Sequence, residues 1–172
     1  MALPHHPPYI SEDEYLQMEL ESDLKHEYSN GQVLAMGGAS WNHSMIQSSI
    51  LVSLGRQLAK SPCNISSSDL RLHIDSTKSY RYPDLTVICG QPQFLDESMM
   101  VILNPTLIIE ILLPSTELID CNVKLREYRQ IETLNAYVLV SQVEPRVEMY
   151  TRQADGAWAY DDVIGIEDSV HL

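Results

Sequence analysis

At 172 residues and 44% hydrophobic side chains, the chain is long and apolar enough to bury a core, and its composition excludes overall disorder. Against 11 Lys and Arg stand 24 Asp and Glu, a net charge of −13, so a nucleic acid would meet an opposing global field. The densest apolar run, "LIIEILL" from Leu107 to Leu113, is strand-sized and far short of the roughly 18 residues of a membrane span.

The reading predicts one domain over 1–172, with residues 1–10 (His5 and His6 among them) a flexible N-terminus. "MALPHHPPYISEDEYL" has neither a basic region nor a long apolar stretch, so no signal peptide and a cytoplasmic location are expected. Next comes "SEDEYLQMELES", with Ser11 as N-cap, acids in the first turn and apolar Tyr15, Leu16, Met18 and Leu20, which reads as a short amphipathic helix. Asn30-Gly31 is a turn signal, and "QVLAM" after it reads as a strand. Ser40 caps a long helix over 40–60, whose His43, Ile46, Ile50 and Leu54 recur at spacings of three and four.

"ISSSDLRLHI" and "YRYPDLTVIC" read as two strands around the turn-rich "DSTKS", and residues 91–104 as a loop. "TLIIEILL" is a central strand, apolar on both faces apart from Glu110 and closed by Pro114. Asp120 is the expected N-cap of a second long helix, 121–132, and three strands follow, "AYVLVS", "PRVEMYTR" and "AWAYDDVI". The fold class is therefore α/β or α+β, a mixed central sheet flanked by helices. Cys63, Cys89 and Cys121 are odd in number and lack CxxC spacing; they read as reduced thiols.

Chemistry is suggested by acids in apolar company. Asp84 and Glu110 lie at or within successive core strands, and a lone buried carboxylate costs several kcal/mol unless neutralised, hydrogen-bonded or paired. If the two converge, a cation relieves their repulsion; oxygen ligands on a rigid frame suit Mg²⁺ or Mn²⁺, which can activate water against a phosphodiester. Lys124 shares a helical stripe with Tyr128 and Ile131, so its ammonium is drawn toward that site. Glu27 is a third carboxylate, expected from the N-terminal helix. The plainer readings are a structural pair of Glu110 with Lys124 or Arg71, a turn-capping Asp84, and a core or capping His43.

The pattern "HEYSNGQVLAM … H … SDLRL … YPDLTV … IIEILLPST … D … K … Y … AYVLV" resembles the Uma2 family, also called DUF820, over roughly residues 10–160. The resemblance implies a restriction-endonuclease-like PD-(D/E)XK core. It also implies a metal-dependent DNA endonuclease whose catalytic positions match Asp84, Glu110, Lys124 and Glu27, with Asp84 and Glu110 holding the metal. The chain departs from the wider fold's Glu-x-Lys, because Leu112 stands where the lysine belongs, and Lys124 on the following helix becomes the candidate substitute. "YVLVS" also stands where the family has "YWxVD". The expected partners are DNA and a divalent metal, with a homodimer considered and no membrane. The alternatives are a catalytically inactive nuclease-fold binding or regulatory module, and phosphodiester chemistry on RNA or a small nucleotide.

Overall fold

A computed structural model describes residues 8–113 and 117–165 of the protein. Helix α1 (Glu12–Glu21) starts at the predicted cap: the Ser11 hydroxyl accepts the Glu14 N–H, and the Glu14 carboxylate accepts the Ser11 N–H at 2.8 Å. Strands β1 (His26–Ser29) and β2 (Gln32–Ala35) form a hairpin through Asn30 and Gly31, both at positive φ, as a two-residue turn of this hand requires. A Cβ on Gly31 would collide with the Tyr9 ring, and the Ile10 N–H donates to the Gly31 carbonyl at 3.0 Å. Tyr9 and Ile10 thus pack on this hairpin; residues 1–7, including His5 and His6, lie outside the described residues.

Helix α2 (Trp41–Leu58) is capped by the Ser40 hydroxyl, which accepts the His43 N–H. Four strands follow where two were predicted: β3 (Cys63–Ser67), β4 (Arg71–Ile74), β5 (Ser79–Arg81) and β6 (Leu85–Cys89). Each predicted strand crosses from one sheet to another. β4 and β5 join β1, β2 and a short β7 (Val101–Ile102) in a five-stranded sheet ordered β2-β1-β5-β4-β7. β3 and β6 join β8 (Leu107–Leu112), β9 (Ala136–Ser141), β10 (Arg146–Arg152) and β11 (Trp158–Ile164) in a six-stranded sheet ordered β11-β10-β9-β8-β6-β3. Pro83, with no N–H to donate to a ladder, stands at the crossing from β5 to β6.

The six-stranded sheet is mixed, because β8 and β9 run parallel and need a crossover. A helical segment supplies it: a π-helical turn (Ile119–Lys124) leads into α3 (Leu125–Tyr128). The helix predicted over 121–132 thus begins earlier, ends earlier and is wider at its start. Pro114, the expected end of β8, lies outside the described residues. One face of the sheet packs on α2 through Leu85, Val87, Leu107, Ile109 and Val138. The other face meets α3 and the five-stranded sheet through Ile108, Leu112, Tyr128, Tyr137 and Leu139. α1 closes the far side with Tyr15 against Tyr28 and Tyr80.

The cysteine reading is overturned. β3 and β6 pair with Cys63 opposite Cys89, and the two form a disulfide; Cys121 is free. No local spacing signals this pair, since 26 residues separate the cysteines and only strand register brings them together. A loop of that size implies a stabilisation of about 3 kcal/mol. Reduction, or Cys63→Ser with Cys89→Ser, should lower the denaturation midpoint accordingly, whereas Cys121→Ser should leave it in place. Urea titration with and without reductant measures both.

Candidate active site

The register of two strands sets the site. β6 and β8 pair antiparallel with Leu85 opposite Ile109, so one step further along the ladder brings Asp84 opposite Glu110. The pair is laced through backbone: the Ile111 N–H donates to Asp84 Oδ2 at 2.8 Å, and the Asp84 N–H donates to Glu110 Oε2 at 3.3 Å. Pro83 ends one ladder just before Asp84, which leaves the carboxylate at the corner between the sheets. Glu110 alternates with Ile108 and Leu112, so it shares their face and is only 4% exposed.

Lys124 enters from the crossover and is 7% exposed. Its Nζ lies 3.0 Å from Glu110 Oε1, 3.1 Å from Glu27 Oε1 and 3.0 Å from Asp120 Oδ1. An ammonium has three N–H donors, and three carboxylates meet it. The Tyr128 hydroxyl, one turn on, donates to Glu110 Oε1 at 2.9 Å. The stripe Lys124, Tyr128, Ile131 is buried as its spacing predicted.

Glu27 reaches the cluster from β1, not from the N-terminal helix as expected. It accepts Arg81 Nη1 at 2.9 Å, and Arg81 turns its Nε and Nη2 onto Glu127, both at 2.8 Å. Ser29 and Ser79 donate to the same Glu127 carboxylate. A buried chain of charges therefore runs from Glu127 through Arg81 and Glu27 to Lys124 and Glu110, and joins the two sheets.

Acid outweighs base at its far end. Asp84, Glu110, Glu27 and Asp120 face one lysine, while Arg81 is shared with Glu127. Burial pushes the Glu110 carboxyl up to about 8; Lys124 opposes the shift, and Asp84, Asp120 and Glu27 reinforce it. Burial also disfavours the Lys124 charge, yet Glu110, Glu27 and Asp120 outweigh it and hold the ammonium well above its ordinary range. For Glu27, burial is overcome by Lys124 and Arg81, which keep the carboxyl below its usual range. Asp84, Glu110, Glu27, Asp120 and Lys124 all line a cavity of about 100 Å³.

Several of its residues carried no clear sequence signal. His43, expected as a core or capping residue, sends Nε2 to within 3.0 Å of Asp84 Oδ2. A carboxylate only accepts, so Nε2 is the donor. Gln47, one turn later, donates to the Asp84 carbonyl at 2.8 Å. The i, i+4 spacing of these two polar residues on the buried side of α2 was the available clue. Asp120 is not the N-cap expected of it; it lies inside the π-helical turn, buried against Lys124 four residues on. Arg71, one proposed partner for Glu110, instead donates to the Tyr82 hydroxyl at 2.8 Å.

The donor set fits a divalent cation. Asp84 Oδ2 takes both the His43 and Ile111 donors, and Oδ1 takes no hydrogen bond among the described residues. Glu110 Oε2 receives only the long bond from the Asp84 N–H. Two hard carboxylate oxygens beside a surplus of negative charge fit Mg²⁺ or Mn²⁺, which are commonly held by one or two carboxylates plus water. Among the described residues no three His, Cys, Asp or Glu side chains form a ready-made cage, which leaves the other coordination positions to water or substrate.

Comparison with known proteins agrees with this architecture. The family profile described as "Uma2: Putative restriction endonuclease" matches residues 12–172. Two proteins of Synechocystis sp. are related over most of their length. "Uncharacterized protein slr1290" is 38% identical over 151 residues, 88% of this chain and 78% of that one. "Uncharacterized protein sll1609" is 37% identical over 152 residues, 88% of this chain and 86% of that one. The crystal structure of "a putative nuclease belonging to DUF820" from Anabaena variabilis superposes with a TM-score of 0.77 at 19% identity, over 95% of this chain and 89% of that one, and so shares the restriction-endonuclease-like fold. With the profile covering nearly the whole chain and two relatives more than a third identical, the chain belongs to the Uma2 family.

Proposed function

We propose that the protein is a metal-dependent endonuclease that hydrolyses DNA phosphodiester bonds at Asp84, Glu110 and Lys124. The observation that carries this reading is the pairing of Asp84 with Glu110 beside a buried lysine, at the position where acids outnumber cations. When bound, a divalent cation would lower the pKa of an attacking water and offset charge on the phosphate. Asp84 is oriented by His43 and the Ile111 N–H, which fix Oδ2 and leave Oδ1 to ligate. Glu110 is steadied by Tyr128 and Lys124 on Oε1, with Oε2 toward Asp84.

Lys124 takes the place of the lysine that Leu112 lacks. Ringed by three carboxylates at 3.0 to 3.1 Å, it serves a phosphate oxygen or a nucleophilic water by turning away from one of them. Glu27 and Asp120 keep the ammonium charged and aimed while Glu110 turns to another cation. The same saturation of Lys124 is what an inactive scaffold would also contain, so the second reading is a structural ion cluster in a binding module.

Plasmid nicking in Mg²⁺ or Mn²⁺ should fall about a hundredfold or more with Asp84→Ala. His43→Ala should cost about 10- to 100-fold in metal affinity. Melting curves separate the two readings. For a metal site, Asp84→Asn should leave the metal-free protein equally or more stable and abolish the stabilisation by metal, which is about 2.7 kcal/mol at a hundredfold excess over Kd. No metal shift in the native protein, together with a large loss of stability in metal-free Glu110→Gln, which takes a charged partner from Lys124, would establish the structural cluster instead.

Glu110 also imposes a pH dependence. Its folded pKa, about 8, exceeds the unfolded value of 4.5, so the folded state binds the proton more tightly between them. In the metal-free protein this contribution is complete below pH 4.5 and is lost as pH rises toward 8. Glu110→Gln should flatten that slope in a series of denaturation midpoints. Because a cation replaces the proton, the metal-induced stabilisation of the native protein should grow over the same interval.

A further inference from the structure

The acids are unevenly distributed along the chain. Between Glu27 and Asp69 there is no Asp or Glu, although the chain has 24 of them. This acid-free stretch contains β2, α2 and β3, and its Gly37 and His43 line the candidate active site. The buried side of α2 carries His43, Ile50 and Leu54 toward the sheet. Trp41, Met45, Val52 and Arg56 fall on the opposite side at helical spacing. Trp41 is 75% exposed, in the first turn and two residues before His43, which lines the cavity. Further along, Met45, Ser48, Ser49, Val52, Ser53 and Arg56 border a shallow groove of about 620 Å³.

The rest of the surface offers little to a polyanion. Among the described residues, Arg56, Lys60 and Arg126 are the Lys and Arg side chains with neither an acidic nor an aromatic partner. Two of the three, Arg56 and Lys60, lie one turn apart at the end of α2. Duplex DNA is held chiefly by many phosphate contacts, and two or three cations cannot supply them. Its base faces are also hidden in the stack. An unpaired strand has a lower charge density and exposes bases that stack on aromatic side chains.

Building on the nuclease reading, we infer that the outer face of α2 docks an unpaired nucleic-acid strand. Trp41 stacks on a base, and Arg56 and Lys60 meet phosphates. The helix from Trp41 to Arg56 spans about 22 Å, enough for a few nucleotides. The occupant favoured by charge is a polyanion, because α2 carries no acid and Arg56 and Lys60 at its end have no acidic partner among the described residues.

The test is fluorescence anisotropy of metal-free protein with a labelled oligothymidylate and with a duplex of equal length. The single strand should bind more tightly than the duplex, with log K falling by about 1.4 per decade of salt, as for two neutralised phosphates. Trp41→Ala should weaken it about 5- to 150-fold, and Trp41→Tyr should restore most of the loss. Arg56→Glu with Lys60→Glu should remove the salt dependence, and Arg126→Glu should change nothing. Equal or tighter duplex binding, no binding of the single strand at low salt, or an unchanged Kd in Trp41→Ala would overturn the inference. A dimer in sedimentation that Trp41→Ala converts to monomer, with no oligonucleotide bound, would assign the face to a second copy. Adding Mn²⁺ separates strand docking from strand cleavage. A strand bound but uncut sinks the nuclease reading alone, and cutting at native KM by Trp41→Ala sinks the docking face alone.

Discussion

One buried ammonium organises the centre of this protein. Lys124 is surrounded by Glu27, Glu110 and Asp120, each within 3.1 Å, and no apolar alternative surrounds it. Removing a charge from water costs several kcal/mol, and only close, hydrogen-bonded partners repay it. The partners come from β1, from β8 and from the π-helical turn, so satisfying this lysine fixes both sheets and the crossover relative to one another. Arg81 extends the constraint to Glu127 on α3 through a bidentate pair. The wide helical turn before α3 belongs to the same arrangement, since it holds Asp120 and Lys124 side by side with the Asp120 carbonyl bonded to the buried Tyr137 hydroxyl.

The arrangement is over-supplied with acid. Arg81 and Lys124 can satisfy Glu127, Glu27 and part of Glu110, but Asp84 brings a further charge and the raised Glu110 pKa expresses the surplus. A proton on Glu110 can settle it below about pH 8. A divalent cation could settle it at neutral pH, held by Asp84 and Glu110 in the cavity that Gly37 and His43 also line. The acid-free β2–α2 segment gives the molecule a polarity that its net charge of −13 conceals. Association with a polyanion depends on the local field where the two surfaces meet as well as on total charge, and α2 itself contributes no acid to that field.

The elements that sequence patterning captured were those whose signals are local. Ser11 and Ser40 are caps because an N-terminal N–H needs an acceptor, and Asn30-Gly31 turns because few residues tolerate positive φ. β8 was legible as an apolar run, and Glu110 was conspicuous because such a run has no cheap place for a carboxylate. Where the signals were long-range, the reading failed. "ISSSDLRLHI" and "YRYPDLTVIC" look like two strands, yet each divides between two sheets, and periodicity does not mark which sheet a residue joins. The Cys63–Cys89 bond and the His43–Asp84 contact also depend on register and packing between segments far apart in the chain.

The amino-acid sequence by itself determined the capped starts of α1 and α2, the Asn30-Gly31 turn, the two acids placed among apolar neighbours, the buried stripe of Lys124, Tyr128 and Ile131, and the acid-free stretch after Glu27. These follow from alternation, helical spacing and composition, which act within a few residues. The tertiary structure alone decided that Asp84 stands opposite Glu110, that Glu27 comes from a strand and shares Arg81 with Glu127, and that Asp120 pairs with Lys124 instead of capping a helix. The reason is that the stability of a buried charge depends on which partners reach it, and strand register and sheet packing choose those partners.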